Sequence, residues 1–131
     1  MGWEQIWNDY GSGAHNNYSC WSPIPPSGYR ACGHFMRLNT DDKSAPNANE
    51  THNFVCVHES LCNEAFIQND VIWNDVGTGA KQDLTLWKVG FNDSQIDAKT
   101  FYGTNVRDFN KFNNRQPKIY AIKKDKRIKI E

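Results

Sequence analysis

Two loops of this chain carry the same kinds of hydrogen-bonding residues at the same spacing. A carboxylate accepts two hydrogen bonds from neighbouring hydroxyls, and glycines let backbone N–H groups approach a ligand closely. Aromatic rings can stack on the apolar face of a sugar ring, and the aromatic candidates are Tyr10, Tyr18, Trp21 and Trp87. The candidate ligand-binding residues are Asp9, Gly11, Gly13, Ala14, Asn16, Asn17 and Tyr18 in the first loop, and Asp75, Gly77, Gly79, Ala80, Gln82 and Asp83 in the second.

The same residues also suit a structural role, which the sequence leaves equally open. Aspartate and asparagine before Gly-rich turns commonly bond their own backbone, and that capping uses the same acceptor geometry as ligand binding. The binding hypothesis requires these side chains to face solvent. We predict that Trp7 and Trp73, each preceded by an isoleucine in a strand-like segment, lie in the core. One acidic residue per loop is sparse for Ca²⁺, so we assign no metal site.

The two loops belong to an internal repeat. Residues 6–14 read IWNDYGSGA and residues 72–80 read IWNDVGTGA, 66 positions further on. Trp21 and Trp87 follow the two copies with the same separation. A repeat held in register over that distance indicates duplicated structure. We predict one domain over residues 1–131, with internal repeats over about residues 3–62 and 69–125.

Short alternating segments joined by Gly, Ser, Asn and Pro predict an all-β fold, with about 9 to 12 strands at the usual strand length. The predicted strands are residues 3–7 (an edge strand), 19–22, 29–38 with a bulge at Gly33, 53–58 (buried), 85–89, 96–101 and 118–122. Residues 23–28 are expected to form a proline-rich bend, and residues 59–70 a connector with one helical turn. In the repeat alignment, residues 96–101 match residues 30–35.

Charge and composition argue against several classes of function. The chain has 15 basic and 15 acidic residues, so no general field favours a nucleic-acid partner. No apolar run approaches the ~20 residues that span a bilayer, so we expect no membrane span. No signal peptide is visible, but three N-x-S/T sequons, at Asn17, Asn49 and Asn92, favour a secreted, extracellular protein.

Catalysis has little support, and we predict that the protein is not an enzyme and needs no cofactor. No G-x-S-x-G element occurs, and nothing places two carboxylates across a cleft. The histidines show no catalytic spacing, and His58, at the end of a predicted strand, is expected to be structural.

The four cysteines allow two disulfides, and no C-x2-C pair indicates zinc. In a secreted protein, we expect one bond within the first half. Cys62, in the predicted connector, could instead link two chains, so a homodimer with or without a disulfide stays open. Cys20, Cys32 and Cys56 align with small or apolar residues of the second repeat, so these three could equally lie in the core.

The repeated motif resembles that of the Vps62-related repeat family, whose pattern is W-D-D-x-G-S-G-A followed by W-x-P-x-P-x-G-Y. Both copies here read Trp-Asn-Asp-x-Gly-[Ser/Thr]-Gly-Ala, and the first continues with Trp21, the bend at residues 23–29 and Phe-Val-Cys-Val-His at residues 54–58. The resemblance covers essentially the whole chain. Two departures stand out: the first Asp of the motif is Asn8 and Asn74 here, and the second half lacks the proline-rich bend.

The resemblance implies a β-prism, in which three antiparallel four-stranded sheets surround a pseudo-threefold axis, as in jacalin-related lectins and the C-terminal domain of a perforin-like protein. Two repeats would then mean that one sheet has diverged, or that each unit spans one and a half sheets. The leading hypothesis is a secreted lectin that binds glycans or small oligosaccharides through residues 9–18 and 75–84. The alternatives are a membrane- or receptor-recognition module of a pore-forming system and a non-catalytic matrix protein.

Overall fold

The computed structural model describes residues 2–9, 18–38, 45–47, 49–51, 54–80, 82–91 and 97–123. Over these ranges the protein is all-β, with nine strands and three short 3-10 turns. The strands are β1 (Gly2–Asn8), β2 (Tyr18–Ile24), β3 (Tyr29–Arg30), β4 (Phe35–Leu38), β5 (Val57–His58), β6 (Cys62–Asn74), β7 (Thr85–Gly90), β8 (Asp97–Thr104) and β9 (Ile119–Ile122). No helix in these ranges is long and apolar enough to cross a membrane.

The strands form three sheets, and every pairing between them is antiparallel. The sheets have the orders β1-β2-β4, β3-β5 and β8-β7-β6-β9. In the described residues only the last has the four strands expected of each face of a prism. β1 lies at an edge of its sheet, as the sequence predicts.

The duplicated segments form two hairpins with the same register. Trp7 pairs with Cys20 and Trp73 with Leu86, and the register shifts at the preceding step in both hairpins. The third strands differ, because Trp21 pairs with Phe35 whereas Trp87 pairs with Tyr102, which is 67 positions further on. The predicted match between residues 30–35 and 96–101 is therefore wrong by one residue.

The segment 29–38 is two strands in two sheets and not one strand with a bulge. The break falls at Gly33, which has a φ of +116° that side-chain-bearing residues rarely adopt. A Cβ at this position would clash with Thr100 Oγ1 and lie 2.9 Å from the carbonyl oxygen of Phe101. Gly33 therefore lets the chain cross closely over β8 as it passes from one sheet to the next.

Two other element predictions are wrong. Only Val57–His58 of the predicted buried strand 53–58 is a strand among the described residues, and Val55 is 64% exposed. The predicted connector 59–70 is mostly β6, because Ala65 and Ile67 alternate into the core and give the segment a strand period. Its 3-10 turn, Glu59–Leu61, is capped by His58, whose Nδ1 accepts the Ser60 N–H at 3.2 Å.

The core consists of two clusters. The larger lies within the second half of the chain and contains Ala65, Ile67, Trp87, Val89, Phe91, Ala98, Ile119 and Ala121. The smaller packs Trp7 and Cys20 of the first half against Leu84 and Leu86 of the second. Burying a large apolar side chain stabilises the fold by about 1.5–3 kcal/mol. Because the smaller cluster buries side chains of one repeat against those of the other, it holds the two repeats together.

None of the four cysteines forms a disulfide in the structure, so the expected intrachain disulfide is absent. Cys32 Sγ and Cys62 Sγ lie 3.7 Å apart, well beyond the bonded distance of about 2.05 Å. Cys62 is buried at the start of β6 and does not lie in an exposed connector. This placement argues against its predicted role in linking two chains.

Candidate functional site

The second repeated loop, residues 75–84, is closed at its base by Asp75. The Asp75 N–H donates to the Leu84 carbonyl oxygen at 3.1 Å, and the Leu84 N–H donates to Asp75 Oδ1 at 3.0 Å. The Asp75 side chain is only 1% exposed. Its carboxylate therefore joins the two ends of the loop from inside, and the expectation that it faces solvent is wrong.

Arg107 is a polar neighbour of the loop that sequence reasoning missed. Its Nη2 donates to Asp75 Oδ1 at 2.7 Å and lies 3.1 Å from Asp83 Oδ1. The hydrogen bond to Asp75 is the main cause that raises the pKa of the Arg107 guanidinium. Arg107 is 32 residues away from Asp75 in sequence, so no local pattern could reveal the pairing.

The glycines of this loop serve its turns. The Thr78 N–H donates to the Asp75 carbonyl oxygen at 3.1 Å, and Gly77 between them has a φ of +84°. A Cβ at Gly77 would meet no atom of the described residues within 4 Å, so glycine is required there for its backbone angle. Asn74 Oδ1 accepts the Val76 N–H at 3.1 Å, which is the capping that the sequence left open.

The first loop has the same backbone hydrogen bond at its base, between the corresponding positions. The Asp9 N–H donates to the Tyr18 carbonyl oxygen at 3.1 Å, and Asp9 is 5% exposed. Tyr18 is 42% exposed, so its ring remains accessible at the base of this loop. The other predicted site residues of the first loop lie outside the described residues; they are Gly11, Gly13, Ala14, Asn16 and Asn17.

The tryptophans that are buried and those that are exposed differ from the prediction. Trp21 and Trp87, considered for stacking on a sugar, are 4% and 1% exposed and so cannot stack on a ligand. Trp7 is buried as predicted, but Trp73 is 41% exposed, so its predicted place in the core is wrong. The repeat positions are equivalent in sequence, but Trp7 packs in the smaller core cluster, whereas Trp73 belongs to neither cluster of the described residues.

The second loop is tied to strand β1 of the other repeat. Trp7 Nε1 donates to the Gln82 carbonyl oxygen at 2.8 Å. Asn105 Nδ2 donates to the Asp83 carbonyl oxygen at 3.0 Å and also to a carbonyl oxygen of β1. These bonds fix the backbone of residues 82 and 83 relative to the first repeat.

The surface around the second loop combines polar and aromatic groups. The side chains of Asp83 and Arg107 are 53% and 40% exposed, and Gln82 is also exposed. Trp73 and Val76, on either side of Asp75 in sequence, are 41% and 61% exposed. We call this set the loop 75–84 surface. The described residues contain no group of three or more His, Cys, Asp or Glu side chains that could hold a metal ion.

The chain is similar to one protein family and to one protein of known structure. A family model described as vacuolar protein sorting-associated protein 62 matches residues 1–129. The crystal structure of GNIP1Aa from Chromobacterium piscinae is similar over 95% of this chain, with 36% sequence identity and a TM-score of 0.69. The match covers 24% of the GNIP1Aa chain, so the present chain spans about a quarter of that protein's length. No curated protein gives a significant match.

Proposed function

Given that the chain belongs to the family of vacuolar protein sorting-associated protein 62, we propose that it is a non-catalytic binding module that recognises carbohydrate at the loop 75–84 surface. The observation that carries this proposal is the exposed ring of Trp73 beside the Gly-rich loop. A secreted location and a three-sided prism arrangement belong to the same proposal.

Trp73 supplies a fixed platform for the apolar face of a sugar ring. Its ring meets that of Trp7 in a T-shaped contact, with 6.1 Å between centroids and 72° between planes. Trp7 is itself held by its hydrogen bond to Gln82 and by burial in the smaller core cluster. The orientation of Trp73 is therefore set before a ligand arrives, which lowers the entropic cost of binding.

Polar groups on the same surface can satisfy sugar hydroxyls, which both donate and accept hydrogen bonds. The exposed carboxylate of Asp83 accepts, and Arg107 donates from a position fixed by its bonds to Asp75 and Asp83. Gln82 adds an exposed amide that does both. Recognition is thereby assigned to Asp83, and the buried carboxylate of Asp75 keeps its structural role.

The first loop offers a second candidate site. Its base has the same backbone hydrogen bond from the aspartate N–H, and Tyr18 presents a 42% exposed ring there. Two weak sites on one domain would raise the avidity for a multivalent glycan well above that of either site.

A glycan array with the wild-type protein and matched variants tests the proposal. We expect Trp73→Ala to weaken binding of the best glycan about tenfold or more, because it removes the stacking surface. Asp83→Asn should also weaken it, since it removes a charged acceptor. Asp70→Asn is the control, because Asp70 is an equally exposed carboxylate that pairs with Lys88. The proposal is wrong if no glycan binds, or if both site variants bind as well as the control.

A second candidate function, recognition of a lipid surface, is favoured by the exposed apolar side chains near Trp73. Val71, Ile72 and Val76 are 44%, 51% and 61% exposed, and such neighbours often mark a contact surface. Co-sedimentation with phosphatidylcholine vesicles separates the two candidates. Sugar-independent binding that Val76→Glu abolishes would support the lipid surface, and no binding to these vesicles would exclude it.

A further inference from the structure

A pair of cysteines lies beside the crossing of the chain over β8. Cys32 Sγ and Cys62 Sγ are 3.7 Å apart, although 30 positions separate the two residues in sequence. The two sulfur atoms are not bonded in the structure, but they are close to van der Waals contact. The proposed carbohydrate recognition makes no use of this pair.

The backbone on both sides of the pair is held by other elements. Cys62 is the first residue of β6 and pairs with Ile122 of β9. The Cys32 carbonyl oxygen accepts a hydrogen bond from Thr100 Oγ1 of β8 at 2.7 Å, next to the close crossing at Gly33. The two sulfur atoms therefore stay near each other. A sulfur–sulfur bond of about 2.05 Å requires them to approach by about 1.7 Å from 3.7 Å, which rotation of the two side chains can supply.

The pair can be approached from the side of Cys32. Cys32 is half-buried and lines a cavity of about 160 Å³ together with residues of β8 and β9, whereas Cys62 is only 9% exposed. A small reagent therefore reaches Cys32 first, and Cys62 is placed to react second. Cys56 is a third thiol nearby, since it contributes to the raised pKa of Cys32. It is the competing partner that an experiment must separate from Cys62.

The protonation of Cys32 determines how fast such a reaction proceeds. Burial is the main cause that raises the pKa of the Cys32 thiol to about 12, and Cys62 adds to it. Since the thiolate is the nucleophile, exchange at Cys32 is slow at pH 7 and becomes faster as the pH rises. Slow formation suits a lasting crosslink, whereas a catalytic dithiol needs a lowered thiol pKa.

We propose that Cys32 and Cys62 form a disulfide when the protein meets a low-molecular-weight disulfide, and that this bond ties the crossing at Gly33 to the start of β6. The Cys32 thiolate first attacks one sulfur of the reagent, which gives a mixed disulfide and releases one small thiolate that takes up the proton lost by Cys32. The Cys62 sulfur then attacks the Cys32 sulfur, the bond to the small molecule breaks, and a second small thiol leaves with the proton of Cys62. Two protein thiols are thereby oxidised, and one external disulfide is reduced to two thiols.

The bond would join two parts of the fold that are distant in sequence. It would close a loop over residues 32–62, which contains β4 and β5. Closing a loop of this length restricts the unfolded chain, so the melting temperature should rise by about 5 °C or more. This effect does not depend on carbohydrate binding.

Incubation of the whole protein with 2-hydroxyethyl disulfide at about pH 8.5 tests the proposal. Remaining thiols are blocked with iodoacetamide after denaturation, and the protein is cut with trypsin and Glu-C. Because Glu59 separates Cys56 from Cys62, the fragments 31–37, 51–59 and 60–64 each carry one cysteine. We expect mass spectrometry to find fragment 31–37 joined to fragment 60–64.

Matched variants separate the two candidate partners of Cys32. Cys56→Ser is the control, and it should form the same bond and show the same rise in melting temperature as the wild type. Cys32→Ser and Cys62→Ala should show neither change. A thermal melt without the reagent confirms that each variant is folded, and the use of two variants keeps the test valid if one of them does not fold.

Three results would overturn the proposal. The first is the absence of any joined fragment in the treated wild type. The second is fragment 31–37 joined mainly to fragment 51–59, which would make Cys56 the partner of Cys32. The third is a protein with the expected bond that melts no higher than the untreated protein, which would mean that the bond distorts the fold instead of tying it together.

Discussion

Replacing Asp75 by alanine separates a structural carboxylate from a ligand-binding one. Asp75 Oδ1 accepts the N–H of Leu84, a residue that is fully buried. In Asp75→Ala this N–H is left without an acceptor, and a buried, unsatisfied donor costs about 1–3 kcal/mol. We therefore expect the free energy of unfolding to fall by about that amount. Asp75→Asn keeps a side-chain oxygen at this position and should lose less.

Urea unfolding followed by tryptophan fluorescence measures the effect, since a stability change shifts the midpoint at constant slope. Asp70→Ala is the control: Asp70 is an exposed carboxylate, so its loss should change the stability by no more than about 0.5 kcal/mol. If Asp75→Ala unfolds at the wild-type urea concentration, the capping argument is wrong. If it does so and also loses glycan binding, Asp75 is a ligand-binding residue after all.

Three further predictions follow from other buried positions. Burial lowers the pKa of His34 to about 4 in the folded chain, so between the unfolded value of 6.5 and pH 4 only the unfolded chain takes up the proton. The free energy of unfolding should then be highest above pH 6.5 and fall by about 3 kcal/mol towards pH 4. Urea unfolding midpoints measured across this range should show a smaller loss for His34→Gln. Gly33→Ala should lower the melting temperature more than Gly28→Ala, because both have positive φ but only Gly33 would place its Cβ against Thr100; equal shifts would contradict this. Burial raises the pKa of Cys20 to about 12, so iodoacetamide at pH 8 should label it only after unfolding, and mass spectrometry showing equal labelling of the native protein would refute the argument.

Local patterns in the sequence were sufficient for the two repeated hairpins. Alternating apolar residues and Gly-rich turns specify a hairpin through interactions between near neighbours, and a repeat of 66 residues predicts that both copies share one register. The structure has that register in both hairpins, with Trp7 and Trp73 at matching positions. The third strand escaped the prediction because Trp21 and its partner Phe35 are 14 positions apart in sequence, whereas Trp87 and its partner Tyr102 are 15 positions apart.

The sequence determined the hairpins and the turn glycines, because these depend on residues within a few positions of one another, whereas it left the capping role of Asn74 open. Only the tertiary structure decided which tryptophan is buried, since the cover over Trp7 comes from Leu84 and Leu86 of the other repeat. It also decided that Asp75 faces inward, because Arg107, 32 positions away in sequence, and Leu84, at the other end of the loop, both bond to its carboxylate. Identical motifs thus acquire different exposure, because burial is a property of what packs against a residue and not of the residue itself.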